Sequence, residues 1–222
     1  MNNVLIETTQ LGIGAEKLGV ALNQKQLDLF QLFAALLQEW GGRMNLTSIP
    51  AEKYVTHHFL DSLSLAPALK SASARNLLDV GTGAGFPGIP LALAFPDLQV
   101  TLLEASLKRT QFLTAACAEL GLKNATVLRG RAEEVAKDSR MKNAFDVVTA
   151  RAVAHLKELL PWLAPFVKGT GLIACLKSKR SDEELSEVSK LLGKLKLSNG
   201  KILPIEVPGL DEQRSLITFS PA

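Results

Sequence analysis

Asn76-Leu77-Leu78-Asp79-Val80-Gly81-Thr82-Gly83-Ala84-Gly85-Phe86-Pro87-Gly88 is the stretch that decides how this chain folds. Its apolar start reads as a buried strand, and the three alternating glycines read as a tight turn leading into a helix. A residue without a Cβ can take φ > 0 and lets a ligand approach the main chain. Strand, glycine turn and helix in that order mark the ligand-binding edge of a doubly wound α/β sheet. Asp79, two residues ahead of the first glycine, carries the information about which ligand.

Outward from this turn, strand-like and helix-like runs alternate. Strands are expected at Asn76–Val80, Gln99–Leu103, Thr126–Leu128, Phe145–Ala150, Gly171–Leu176, Ile202–Val207 and Leu216–Phe219, with helical patterns between the first five. Such alternation implies right-handed crossovers and a largely parallel sheet. Only the loop 208–215 separates the last two strands, which predicts a terminal antiparallel hairpin at one edge. The expected fold is therefore α/β, a seven-stranded Rossmann-like sheet of the class I methyltransferase type. Upstream, Leu27, Phe30, Phe33, Leu37 and Trp40 recur at helical spacing across Gln24–Trp40. A second helix is expected after Pro50, carrying Val55, Phe59, Leu63 and Leu65-Ala66. These form an N-terminal helical layer over residues 1–74, joined through Ser71-Ala72-Ser73-Ala74 to a ligand-binding domain over 75–222, the two making one compact unit.

With 222 residues, 47% of them hydrophobic, the chain can bury a full core. No run approaches the roughly 18–20 uninterrupted apolar residues of a membrane span, and the N-terminus lacks a basic-then-apolar leader. Cys117 and Cys175 sit in apolar patterns and read as buried thiols, so a cytoplasmic protein without a metal cage is expected. A monomer is expected. Net charge is +3; residues 1–74 carry five Lys/Arg against six Asp/Glu, and the rest carry twenty against sixteen. That mild excess permits nucleic-acid binding without establishing it.

Gly83-x-Gly85-x-x-Gly88, with Glu104 at the end of the next strand, fits adenosine binding, the carboxylate meeting ribose hydroxyls. It does not separate NAD from S-adenosyl-L-methionine. Asp79 does so by charge. A carboxylate at the mouth of the turn repels a pyrophosphate and suits the cationic amino group of a methionine moiety, directly or through water; a structural strand-end cap is the plainer alternative. At ~4 Å and an effective dielectric of about 20 one such pair is worth on the order of 4 kcal/mol before desolvation. Gly81, Gly83, Gly85 and Phe86 belong to the same turn, and the backbone at Ala132 and Glu133, after the third strand, is placed to meet an adenine ring.

The methyl acceptor is expected beside Arg151, after the fourth strand. No Asn/Asp-Pro-Pro-aromatic run grips an exocyclic amine there, and no cysteine is present to attack a pyrimidine ring. Transfer to a ring nitrogen that already has a lone pair needs chiefly positioning. Arg129, Arg131, Arg151, Lys177, Lys179 and Arg180 follow strand ends, and Arg214 precedes the last strand, so a basic rim for nucleic-acid phosphates is expected. His57 and His58 precede Asp61 by four and three residues, and a hydrogen-bonded His–Asp pair joining the helical layer to the main domain is expected. Trp40 and Trp162 read as core or boundary aromatics.

Taken together, Asn45-Leu46-Thr47-Ser48-Ile49, His57-His58-x-x-Asp61-Ser62-Leu63, the glycine turn with Phe86-Pro87-Gly88-Ile89-Pro90, Lys108-Arg109-x-x-Phe112-Leu113, Arg131-Ala132-Glu133, Arg151-Ala152 and Arg214-Ser215-Leu216 resemble the bacterial small-subunit ribosomal RNA guanine-N7 methyltransferases, also called the glucose-inhibited division protein B family. The resemblance spans essentially the whole chain. It implies methyl transfer from S-adenosyl-L-methionine to a guanine N7 in the 530 loop of 16S rRNA, as RNA, 30S subunit or assembly intermediate. It also implies that Gly81, Phe86, Glu104, Ala132-Glu133 and Arg151 line the cofactor site. His57, Lys177 and Arg214 are the candidates for the RNA side, with Arg151, Lys177 and Arg214 nearest the transfer. Ala84 stands where many relatives have proline, Ser178 where glycine is common after Lys177, and the late lysine of many members is missing. Two other readings stay open: a nicotinamide-dependent oxidoreductase, and a catalytically silent rRNA-binding assembly factor.

Overall fold

The computed structural model describes residues 5–151, 154–177 and 181–222. Helix α1 (Thr8–Lys17) opens the described chain, an element the sequence pattern did not announce. Its buried residues are Leu11, Gly14 and Ala15. A Cβ at Gly14 would stand 2.5 Å from Leu60 Cδ1, so its absence lets α1 approach closely while Leu11 and Ala15, one turn apart, enter the core. Helix α2 (Gln24–Gly41) begins with a capping box: Asn23 Oδ1 accepts from the Gln26 N–H, and Gln26 Oε1 accepts from the Asn23 N–H. Gln26 then spends its amide N–H groups on the carbonyls of Leu93 and Ala94, tying the layer to the main domain. The helix expected after Pro50 is broken into a 3₁₀ turn (Ala51–Lys53), a π-helical turn (Val55–Leu60), α3 (Asp61–Leu63) and α4 (Ala66–Ser71).

Seven strands follow: β1 (Asn76–Val80), β2 (Gln99–Glu104), β3 (Ala125–Arg129), β4 (Phe145–Arg151), β5 (Val167–Lys177), β6 (Lys201–Ile205) and β7 (Arg214–Phe219). Their order is β3-β2-β1-β4-β5-β7-β6, with the first five parallel and β7 antiparallel to both neighbours. The expected terminal hairpin is present, with its second strand inserted beside β5. Bounds agree to within two residues except at β5, which starts four earlier than expected, and Arg214 is the first residue of β7 rather than its approach. Helices α5 (Gly88–Ala94) and α6 (Leu107–Glu119) follow β1 and β2. Helices α7 (Ala132–Val135) and α8 (Leu156–Leu163) follow β3 and β4, and α9 (Ser181–Glu187) and α10 (Ser189–Leu195) follow β5.

Successive strand residues point to opposite faces, and the sheet divides its core accordingly. Leu77, Leu102 and Val147 pack with Phe30, Phe33, Phe59 and Phe112 on the face that also buries the N-terminal helices. Leu78, Val80, Val148 and Ile173 pack with Leu160 and Phe166 on the other. Cys117 and Cys175 are buried free thiols, raised by burial to about 11 and about 12. Among the described residues no helix is long and apolar enough to cross a membrane.

Candidate active site

The glycine turn lies at the carboxyl end of β1. Gly81, Gly83 and Gly85 have φ of 68°, 62° and 94°, a region that L side chains enter at a cost. Backbone N–H groups of Gly81 and Thr82 donate to the Leu103 carbonyl and pin the turn to β2. Gly85 is also a packing residue, since a Cβ there would meet Ile89 Cδ1 at 2.5 Å; it does not line the cleft.

Asp79 is not at the mouth of the turn, as the charge argument required, but beneath it. Strand alternation puts Asp79 on the same face as Leu77, toward α5. Its carboxylate is fully buried; Oδ2 accepts from Thr82 Oγ1–H at 2.6 Å and from the Gly88 N–H at 2.8 Å. Oδ1 has no hydrogen-bond partner among the described residues. Burial pushes the carboxyl up to about 6 against the opposing pull of those two donors. Direct contact with a ligand in the cleft is closed to it. It anchors the turn, and its charge acts on the cleft from below.

Gly88 is where α5 meets that anchor. A Cβ at Gly88 would overlap the Leu102 side chain and come within 2.9 Å of Asp79 Oδ2. Gly88→Ala is therefore expected to destabilise the protein by about 1–3 kcal/mol through overpacking. Urea unfolding monitors this directly; an unchanged midpoint at unchanged slope would show that the turn yields freely.

Facing the turn is a cleft of about 1260 Å³ along the carboxyl edge of the strands. Gly81, Gly83, Phe86, Glu104, Ala132, Glu133 and Arg151 line it, as does Arg131. Glu104, at the end of β2, is 6% exposed; its Oε2 accepts from the Gly83 N–H and its Oε1 from the Ser106 N–H. Those bonds fix the carboxylate against the turn and leave lone pairs for a diol. Arg129 stands outside the main cleft, in an adjoining hollow with Arg131, Ser106 and Glu134.

The acceptor end is built around Arg151. Its Nη1 donates to Asp61 Oδ2 (2.9 Å) and to the His57 carbonyl (3.0 Å), and its Nη2 donates to His58 Nδ1 (3.1 Å). Its Cζ lies 4.8 Å from the centre of the Phe86 ring, on which His58 stacks at 4.2 Å. Arg214 Nε donates to the other oxygen of Asp61 at 3.0 Å. Asp61 does join the helical layer to the sheet, but through two arginines; the expected His–Asp pair does not form. The π turn delivers His58 to the far side of the guanidinium, so Arg151 stands between His58 and Asp61. Burial, followed by the Arg151 charge, lowers His58 to about 3, so it stays neutral.

His57 lines the cleft, its Nδ1 2.7 Å from Thr56 Oγ1 and its Nε2 3.8 Å from Glu212. Lys177 also lines the cleft, but its ammonium is spent on Glu184 (2.9 Å) and on the Ala154 carbonyl (2.6 Å). Lys179 and Arg180 lie outside the described residues. The basic rim is thus divided. Arg151, Lys177 and Arg214 hold the acceptor end together, whereas Arg131 and Arg109 reach the cleft with exposed side chains. Among the lining residues that sequence reasoning did not assign to the site are Arg109, Trp162 and Thr47. The Asn45–Ile49 segment was the signal for the last.

The rRNA small subunit methyltransferase G model (GidB) matches residues 26–215. This chain belongs to that family. It is 40% identical over 205 residues to ribosomal RNA small subunit methyltransferase G of Thermoanaerobacter sp. (strain X514), covering 92% of this chain and 85% of the relative. The protein of the same description from Lachnoclostridium phytofermentans is 42% identical over the same shares. Among solved structures, the O-methyltransferase from Bacillus cereus in complex with SAH superposes with a TM-score of 0.59 at 16% identity, covering 96% of this chain and 99% of that one. That likeness is one of fold, and it matches the class I methyltransferase sheet described above.

Proposed function

We propose that this chain transfers a methyl group from S-adenosyl-L-methionine to N7 of a guanine in the 530 loop of 16S rRNA, within the 30S subunit or an assembly intermediate. One observation carries the reading: a glycine turn braced by Glu104 shares a single cleft with an acceptor end whose polar groups are already paired with one another. The cofactor supplies an activated methyl group. Gly81 and Gly83 accommodate its methionine end, Glu104 its ribose hydroxyls, and the backbone at Ala132 and Glu133 its adenine. At the other end His58 has both ring nitrogens engaged, leaving no free lone pair to act as a base, and both thiols are buried away from the cleft. Guanine N7 has its own lone pair and asks for neither nucleophile nor base. Arg151, held by Asp61 and Phe86, forms a fixed cationic wall against which the base is positioned. Arg131 and Arg109, exposed at the cleft and without an ion pair among the described residues, are suited to the RNA backbone.

The reading extends to the organisation of the chain. Residues 1–74 and 75–222 act as one unit, because Asp61 and His58 of the first complete the Arg151 site of the second. A single chain supplies every element around the cleft, which favours a monomer. The substrate places the protein in the cytoplasm.

Methyl transfer from tritiated S-adenosyl-L-methionine to 30S subunits from a deletion strain, followed by reverse-transcription mapping, tests this. A new stop in the 530 loop is expected after borohydride reduction and aniline cleavage, since N7 methylation leaves the pairing edge intact and does not itself halt the polymerase. Label elsewhere would overturn the substrate, and no label with intact subunits or assembly intermediates would favour the silent assembly factor. Tight NAD binding without S-adenosylhomocysteine binding would point to the oxidoreductase.

A further inference from the structure

Thr47, in the loop between α2 and the first 3₁₀ turn, has a hydroxyl whose polarity is fixed from a distance. Arg151 Nη2 faces His58 Nδ1 at 3.1 Å, and a guanidinium can only donate. Nδ1 must therefore accept, and the single proton of this neutral ring sits on Nε2. Nε2 lies 2.8 Å from Thr47 Oγ1, so His58 donates to Thr47. The Ile49 N–H donates to the same oxygen at 3.0 Å. Both lone pairs of Oγ1 are consumed, and the hydroxyl proton has no acceptor among the described residues. Thr47 lines the same cleft as Arg151 and His58.

We infer that Thr47 is a base-reading residue, donating its hydroxyl proton to O6 of the guanine whose N7 is methylated. The inference rests on the guanine-N7 reading above. The edge of guanine that carries N7 also carries O6, and both are acceptors, whereas adenine places an amino donor at the sixth position. Adenine N7 has a lone pair of its own, so the chemistry of transfer alone does not reject it. A hydroxyl free to accept would tolerate either base. Locked as a donor through Arg151 and His58, it bonds guanine and meets adenine proton against proton. The two donors already on Thr47 thereby turn an indifferent side chain into a selective one.

The test uses the full-length enzyme, its Thr47→Val and Thr47→Ser variants, and 30S subunits carrying guanine or adenine at the methylated position. The expected result is a loss of about tenfold in single-turnover transfer to guanine for Thr47→Val. S-adenosylhomocysteine affinity by calorimetry should stay within about twofold, and Thr47→Ser should recover most of the rate. The preference for guanine over adenine should also fall in the valine variant and persist in the serine variant, which a merely structural role would not produce. Unchanged transfer, an equal loss of cofactor-product affinity, or a rate loss with the base preference intact would each overturn the assignment. If the wild-type enzyme methylates some atom other than guanine N7, the functional reading falls and this assignment falls with it. If the wild type methylates N7 and the valine variant behaves like it, only the assignment falls.

Discussion

Replacing Asp61 with alanine is expected to destabilise the protein by about 3–5 kcal/mol and to lower methyl transfer by at least about a hundredfold. Asp61 is 3% exposed and holds a different arginine on each oxygen: Arg214 on Oδ1 and Arg151 on Oδ2. The arginine side chains are themselves only 17% and 15% exposed. Removing the carboxylate leaves two cations close together in a poorly solvated place with no counter-charge. Breaking such a cluster from one side costs far more than the cluster contributes when intact. The functional loss has a separate origin. Arg151 keeps its place over Phe86 only while Asp61 and the His57 carbonyl share its Nη1, and a displaced guanidinium shifts the wall the acceptor rests on. Asp61→Asn keeps one acceptor and leaves no cavity, but it also removes the counter-charge and turns an amide donor toward one arginine, so it should lose part of the same stability. It should fold, bind S-adenosylhomocysteine with little loss and remain slow in transfer. Urea unfolding and single-turnover kinetics read the two quantities. Wild-type stability in Asp61→Ala would mean that the arginines find other partners, and wild-type kinetics in Asp61→Asn would remove Arg151 from the acceptor wall.

That cluster also marks the boundary of what the sequence shows. The central strands were legible because they are short, mostly apolar runs between glycines or polar turns, which is how doubly covered strands look, while the edge strands β3 and β6 bury no residue and were read from their place in the alternation. The turn after β1 was legible because φ > 0 at three alternating positions leaves a compositional mark. Helix α1 left a faint one, because its buried face is small, Leu11 and Ala15 with Gly14 between them, whose missing Cβ admits Leu60. Asp79 was misplaced for a different reason. Strand alternation, visible in Leu77-Leu78-Asp79-Val80, already assigns it to the buried α5 face, and an argument from charge alone passed over that. The Arg151–Asp61–Arg214 triad joins positions separated by 90 and 153 residues. Nothing local in any of the three segments announces it, and the adjacent histidines suggested a nearer partner for Asp61. Thr47 was visible only as part of a family-like segment; its role depends on a proton position fixed two side chains away.

The second large effect is one of pH, centred on Asp79. Its carboxyl is raised to about 6 in the folded protein from 3.8 in the absence of burial. Between those values the native state holds a proton that the unfolded chain has lost, so stability decreases as pH rises through the interval. The contribution is fully present below about pH 4 and is lost once pH passes about 6, a swing of about 3 kcal/mol. Asp79→Asn should remove this slope. The amide oxygen can accept from Thr82 and Gly88 as Oδ2 does, and no ionisation remains. Cofactor binding should move in the opposite sense. A ligand bearing an ammonium group over the turn favours the ionised carboxylate below it, so S-adenosylhomocysteine should bind about fivefold more tightly at pH 7.5 than at pH 5, the ratio expected if binding lowers the Asp79 pKa by about one from about 6. In Asp79→Asn that affinity should be weaker at pH 7.5 and nearly flat with pH, while affinity for 30S subunits changes little. Calorimetry across the pH range decides it. If the asparagine variant keeps the wild-type pH profile, then Asp79 only braces the turn, and the charge that distinguishes this cofactor from a pyrophosphate must come from elsewhere in the cleft.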